Sequence, residues 1–161
     1  MRRFGILPLL VLTAASCAHS QARVAGPDPR LITQHKVAFQ LGVSEFYNGD
    51  TITIREVRGT ESQFRVGGTY LVRGHYRLTS QDHATLLFSL TAIEGAGIHP
   101  TDASSRVDVT RGEGDFSLTM EDKDTGYPHL TFYASDGGPI GGIYFGTADS
   151  VLAKKDWSYR R

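Results

Sequence analysis

Six histidines, His19, His35, His75, His83, His99 and His129, are the first candidates for chemistry in this chain of 161 residues. Imidazole titrates near neutrality and is a common metal ligand. None of the six forms a His-x-His or His-Glu-x-x-His spacing, so the sequence predicts no metal site and no cofactor. The expectation is strand histidines, half-exposed and hydrogen-bonded locally. His129 and Asp136 offer the one dispersed acid–base pair. No Gly-x-Ser-x-Gly elbow presents a serine nucleophile, and no Gly-x-x-x-x-Gly-Lys-Ser/Thr loop cradles a phosphate. The chain therefore reads as non-enzymatic. Glu121-Asp122-Lys123-Asp124-Thr125-Gly126 alternates carboxylates ahead of a glycine, as calcium loops do. The glycine comes one residue early and no glutamate follows at the required distance. A solvated acidic turn is expected, with a looser oxygen cage as the alternative.

Binding chemistry has two candidates. Arg73, His75 and Arg77 share one strand face and could hold an anionic head group or glycan. Alternatively, neighbouring strands pair these charges across a sheet. Charge is uneven enough for either. Residues 51–80 carry Arg55, Arg58, Arg65, Arg73 and Arg77 against Glu56 and Glu61, whereas residues 101–126 are acidic. The second candidate is Tyr127, Tyr133 and Tyr144, three amphipathic rings that could form a platform for a sugar. The mundane alternative is that they cover a sheet edge or pack under a loop.

The elements that must position these groups read as strands. Val37, Phe39, Leu41 and Val43 alternate with smaller or polar residues, and Asn48-Gly49 then signals a tight turn. Ile52 and Ile54 share a face. Tyr70, Val72, Tyr76 and Leu78 face one way, with Arg73, His75 and Arg77 opposite. Ser80-Gln81-Asp82 reads as a break before Ala84, Leu86, Phe88, Leu90 and Ala92. Val107 and Val109 mark a short strand. Arg111-Gly112-Glu113-Gly114 reads as a hairpin turn leading to Phe116, Leu118 and Met120, and Asp136-Gly137-Gly138-Pro139 as another before Ile143-Tyr144-Phe145. Such regular spacing without a helix of ten residues predicts an all-β domain, specifically an immunoglobulin-like β-sandwich of about seven to eight antiparallel strands.

The only cysteine, Cys17, excludes an internal disulfide and a thiolate zinc site. Its surroundings say more. Arg2 and Arg3 precede an uncharged apolar run over residues 4–15, about 12 residues and too short to span a bilayer, but of signal-peptide size. Thr13-Ala14-Ala15-Ser16-Cys17 resembles the lipobox of bacterial lipoproteins. It departs from the family's preferred pattern in having Ala14 where leucine is common. The resemblance implies cleavage between Ser16 and Cys17, a diacylglyceryl group on the Cys17 thiol and acylation of the new N-terminus. Ala18, in place of the aspartate that favours inner-membrane retention in that family, implies the outer membrane. Ser20-Gln21-Ala22 leaves open ordinary secretion with cleavage before Arg23. The mature part also resembles uncharacterised exported bacterial β-sandwich domains, a likeness that implies no activity.

The resulting organisation is a signal peptide at residues 1–16, a lipidated cysteine and flexible tether at 17–34, the β-domain at 35–152 and a basic, aromatic tail at 153–161 containing Trp157. The chain has 17 basic and 17 acidic side chains, which gives no reason to expect nucleic acid. The expected partners are the membrane, through the lipid anchor, and an envelope protein or glycan.

Overall fold

The computed structural model describes residues 34–93 and 103–153. The proposed signal, Cys17, most of the tether and Trp157 lie outside the described residues. Seven antiparallel strands form a single hydrogen-bonded sheet: β1 (His35–Lys36), β2 (Gln40–Phe46), β3 (Thr51–Gly59), β4 (Thr69–Ala92), β5 (Arg106–Glu121), β6 (Gly126–Tyr133) and β7 (Pro139–Gly146). The order is β1-β3-β4-β6-β7-β2, with β5 on the other side of β4, and the sheet curls into a half-barrel. The all-β, antiparallel expectation holds. The layers that enclose the core come from one continuous sheet. Among the described residues no helix is long and apolar enough to cross a membrane.

The curl originates in β4, a strand of 24 residues. Its first half pairs with β3 and its second half with β6, while β5 follows it along both. Between Leu78 and His83 the ladder with β5 slips, so that residues 79–82 oppose Arg111 alone. This bulge corrects two sequence expectations. Ser80-Gln81-Asp82 does not divide two strands, and Arg111-Gly112-Glu113-Gly114 is not a hairpin turn. Both lie inside continuous strands. On β5 the inward-facing row changes phase, from Val109 to Phe116, Leu118 and Met120, and Gly112 absorbs the change at φ +122°, where a side chain would be strained. A change of phase in a continuous strand looks, in sequence, like a break between two.

Asp50 holds the bulge from the opposite side. The Tyr47–Asp50 turn, with Asn48 and Gly49 both at positive φ, delivers a carboxylate that is 1% exposed. Asp50 Oδ1 accepts the backbone N–H groups of Thr79 (2.7 Å) and Ser80 (2.9 Å) and the Thr79 hydroxyl (3.1 Å), and Oδ2 accepts the Ser80 hydroxyl. Burial alone would raise this carboxyl. The hydrogen bonds from Ser80 and Thr79 outweigh burial and hold it below the usual range. On the outer side, Arg111 bonds Asp82 (2.9 Å) and the Thr79 carbonyl.

The core lies where the two halves of the curled sheet face one another. Phe145 of β7 meets Phe39 (6.1 Å between centroids), Phe64 (5.7 Å) and Phe88 (5.6 Å), and Tyr76 of the first half meets Phe132 of the second (6.3 Å). Close packing is built into cross-strand pairs. Phe116 lies over its partner Gly74, where a Cβ would fall 2.2 Å from the Thr53 carbonyl oxygen. The outer edge of β2 is partly covered, because Val43 N–H donates to the Leu152 carbonyl (2.8 Å).

Candidate binding cleft

The strip of Arg73, His75 and Arg77 exists on the outer face of β4, and carboxylates from both neighbouring strands meet it. Glu56 on β3 takes Arg73 (3.0 Å) and Arg58 (2.8 Å). On β5, Asp115 takes His75 Nδ1 and Arg55 (both 2.9 Å), and Glu113 lies 3.6 Å from Arg77 and 3.7 Å from His75 Nε2. The Arg58 hydrogen bond is the largest influence holding the Glu56 carboxyl low, and the His75 bond does the same for Asp115. Exposed pairs of this kind contribute about 0–1 kcal/mol each. Their main effect here is to spend the strip's charge within the sheet.

The three tyrosines do not form one exposed platform. Tyr127 and Tyr133 are half-buried and Tyr144 is only 6% exposed. Tyr144 stacks on His129 (4.9 Å between centroids), and its hydroxyl meets Thr91 Oγ1 (3.0 Å). His129 is buried too. Its Nε2 lies 2.9 Å from Ser89 Oγ, and its Nδ1 lies 3.3 Å from the Tyr127 carbonyl and 3.5 Å from Thr91 Oγ1. Burial pushes the imidazole down to about 4, so it is neutral at pH 7. The carbonyl at Nδ1 then assigns the proton to that nitrogen, and Nε2 accepts from Ser89. Such an imidazole is a weak base. Asp136, its expected partner, instead accepts the Gly138 N–H (3.0 Å) in the β6–β7 turn. A shallow depression of about 300 Å³ lies at His83, Thr85 and Asp108, away from these groups.

A larger cleft, of about 400 Å³, opens where three connections meet. Residues 63–66, between β3 and β4, form one wall. The β5–β6 turn with Asp122, Asp124 and Thr125 forms the second, and the turn after β7, with Thr147 and Ala148–Ser150, the third, with Ile93 at the rim. Each wall is pinned. The Tyr70 hydroxyl, fully buried, donates to the Gln63 carbonyl (2.6 Å) and accepts the Arg65 N–H (2.8 Å). Phe64 N–H donates to Thr147 Oγ1 (3.1 Å), and the Phe64 ring stacks on Tyr70 (4.4 Å). Gly67 N–H donates to the Asp122 carbonyl (2.7 Å), and Asp122 N–H to that of Gly68 (2.8 Å), extending the β4–β5 ladder. The three walls are thus held in place by contacts within the fold.

Its chemistry is acidic with an apolar border. Asp122, Asp124 and Asp149 stand against Arg65, and Val66 (58% exposed) and Ile93 (48%) are among the few exposed large hydrophobic residues. Asp122 is 3% exposed, and its Oδ1 is the one buried side-chain polar atom among the described residues without a hydrogen-bond partner. Burial pushes this carboxyl up to about 6. The Asp124 N–H opposes the rise, and the Asp124 charge adds to it. The same surroundings push the Tyr70 hydroxyl up to about 12, through burial first and also through the charge of Asp122.

A carboxyl whose folded pKa exceeds its unfolded value of 3.8 favours the protonated fold. Its stabilising effect is complete below that value and is lost as pH rises through about 6. Asp122→Asn is therefore expected to raise stability at pH 7.5 by about 1–2 kcal/mol, allowing for solvent screening. The gain should shrink at pH 4.5. Urea melts of both proteins at the two pH values measure it, and equal midpoints at pH 7.5 would show that the carboxylate is solvated.

The sequence singled out residues 121–126, but as a solvated turn or calcium cage. Among the described residues no three carboxylate, histidine or cysteine side chains converge as a metal site. The signal for Asp122 was present: it continues the inward row of Phe116, Leu118 and Met120. Residues 63–66 and 147–150 carried no comparable signal.

Comparison with family models, with curated proteins and with solved structures yields no match for this chain.

Proposed function

We propose that this chain is a non-enzymatic lipoprotein of the bacterial cell envelope, anchored through Cys17 at the outer membrane, whose β-domain binds a small ligand in the Asp122 cleft. The anchoring rests on the Thr13–Cys17 lipobox and on a thiol that nothing else in the sequence employs. The binding role rests on one observation above the others: a cleft lined by Asp122, whose buried carboxylate has one oxygen left unpaired. A purely structural domain gains nothing from such a group, because an unpaired buried acceptor costs about 1–3 kcal/mol. Residues 17–34 supply the tether that lets the domain stand off the lipid surface.

Membrane fractionation and mass spectrometry of the N-terminal peptide test the anchor. The expected peptide begins at Cys17 and carries acyl mass. Cys17→Ser should move the protein from the membrane to the soluble fraction. An unmodified N-terminus at Arg23 would overturn the lipoprotein assignment while leaving the cleft untouched.

A further inference from the structure

The geometry points to an organic ammonium as the cleft's ligand: an amine carrying a short apolar chain, with Asp122 as its counterion. This rests on the binding role proposed above and specifies its chemistry. Each component of the cleft narrows the ligand class. When ionised, Asp122 can only accept hydrogen bonds, so the group complementary to its unpaired Oδ1 is a donor, and a charged donor gains most from a buried carboxylate. Asp124 and Asp149 against Arg65 leave the lining acidic, which disfavours a carboxylate or phosphate ligand.

A bare divalent cation fits poorly. It needs six or more oxygen ligands, and two of the nearby hydroxyls already hold hydrogen bonds within the fold. Thr147 Oγ1 accepts from Phe64 N–H, and Ser150 Oγ donates to the Thr147 carbonyl while accepting the Thr147 N–H. An ammonium needs fewer partners. Val66 and Ile93 at the border offer apolar surface for a chain attached to it. A volume of about 400 Å³ accommodates a head group with a short alkyl chain.

The test compares probes of equal chain length on the full protein: n-hexylamine, n-hexanol and hexanoate, with calcium chloride as a fourth arm. Isothermal titration calorimetry gives affinities, and amide chemical shifts give the location. The expected result is saturable one-to-one binding of hexylamine, with shifts at Gly67, Asp124, Gly126 and Thr147. Hexanol and hexanoate should bind at least roughly tenfold more weakly, as should hexylamine to Asp122→Asn, the loss expected for a charge-assisted contact. Circular dichroism confirms that the variant is folded. Equal affinity for hexanol and hexylamine would overturn the ammonium assignment yet keep a binding cleft. Saturable calcium binding displacing hexylamine would also overturn it. No shift at the cleft with any probe would overturn both the assignment and the binding role.

Discussion

Asp50→Ala is expected to lower the unfolding free energy by about 3–5 kcal/mol, a loss on the scale of breaking a buried charged network. The residue is 1% exposed and accepts four hydrogen bonds from two consecutive residues of β4. Those residues sit in the bulge, where the ladder to β5 is interrupted. Removing the carboxylate leaves the half-buried Thr79 and Ser80 N–H groups with neither strand nor side chain to accept them, at up to about 1–3 kcal/mol apiece. Asp50→Asn keeps one oxygen and should lose roughly half as much. Asp82→Ala acts on the same bend from outside, through an exposed pair with Arg111, and should cost less than about 1 kcal/mol. Urea unfolding of the three variants measures the order. Equal losses for Asp50→Ala and Asp82→Ala would mean that the bend holds without its buried clamp.

Acid should unfold the protein through His129. Burial lowers this imidazole from 6.5 to about 4. A depressed folded pKa gives stability that is complete above the unfolded value and is lost as pH falls toward the folded one. The window is therefore pH 6.5 down to about 4, and the loss across it is roughly 3 kcal/mol. Asp122 acts in the opposite sense, gaining stability as pH falls through about 6, and should blunt the upper part of the descent. His129→Gln removes the titrating ring. It should be less stable than the native chain at pH 7, with the gap closing by pH 4.5. Imidazole proton shifts give a direct check: His129 should remain neutral at pH 5.5, and titration near 6.5 would refute the burial argument.

Much of this architecture was legible in the alternation of side chains. The inward rows Tyr70–Val72–Leu78, with Tyr76 partly buried beside them, and Ala84–Leu86–Phe88 face the core as their spacing indicates, because period-two patterning is set by the pleat itself. The join between those rows was not legible. A bulge keeps the chain extended while displacing the pairing partner, and only the partner strand reveals it. The same reason explains the charged strip. Arg73, His75 and Arg77 look free along one strand, whereas Glu56, Glu113 and Asp115 meet them from strands that are distant in sequence. The two buried carboxylates share a subtler mark. Asp50 precedes Ile52 and Ile54 by the strand period, and Asp122 follows Leu118 and Met120 by the same step. Each ends an inward-facing row just where the strand gives way to a turn. Polar residues in that position read as turn formers, yet their phase places them inside.

The pairing of β2 with β7 matters for the time course of folding. Gln40 lies opposite Gly146, so the last ladder joins residues from near the two ends of the domain. Contacts this distant in sequence raise the contact order, and chains dominated by them fold in milliseconds to seconds rather than microseconds. The β4–β5 ladder is far more local and can form while β2 still lacks its neighbour. Until β7 arrives, β2 has no strand to pair with and Phe39, Phe64 and Phe88 lack the Phe145 ring on which they converge. A chain emerging from its N-terminus therefore remains incompletely folded until nearly all of the domain is available.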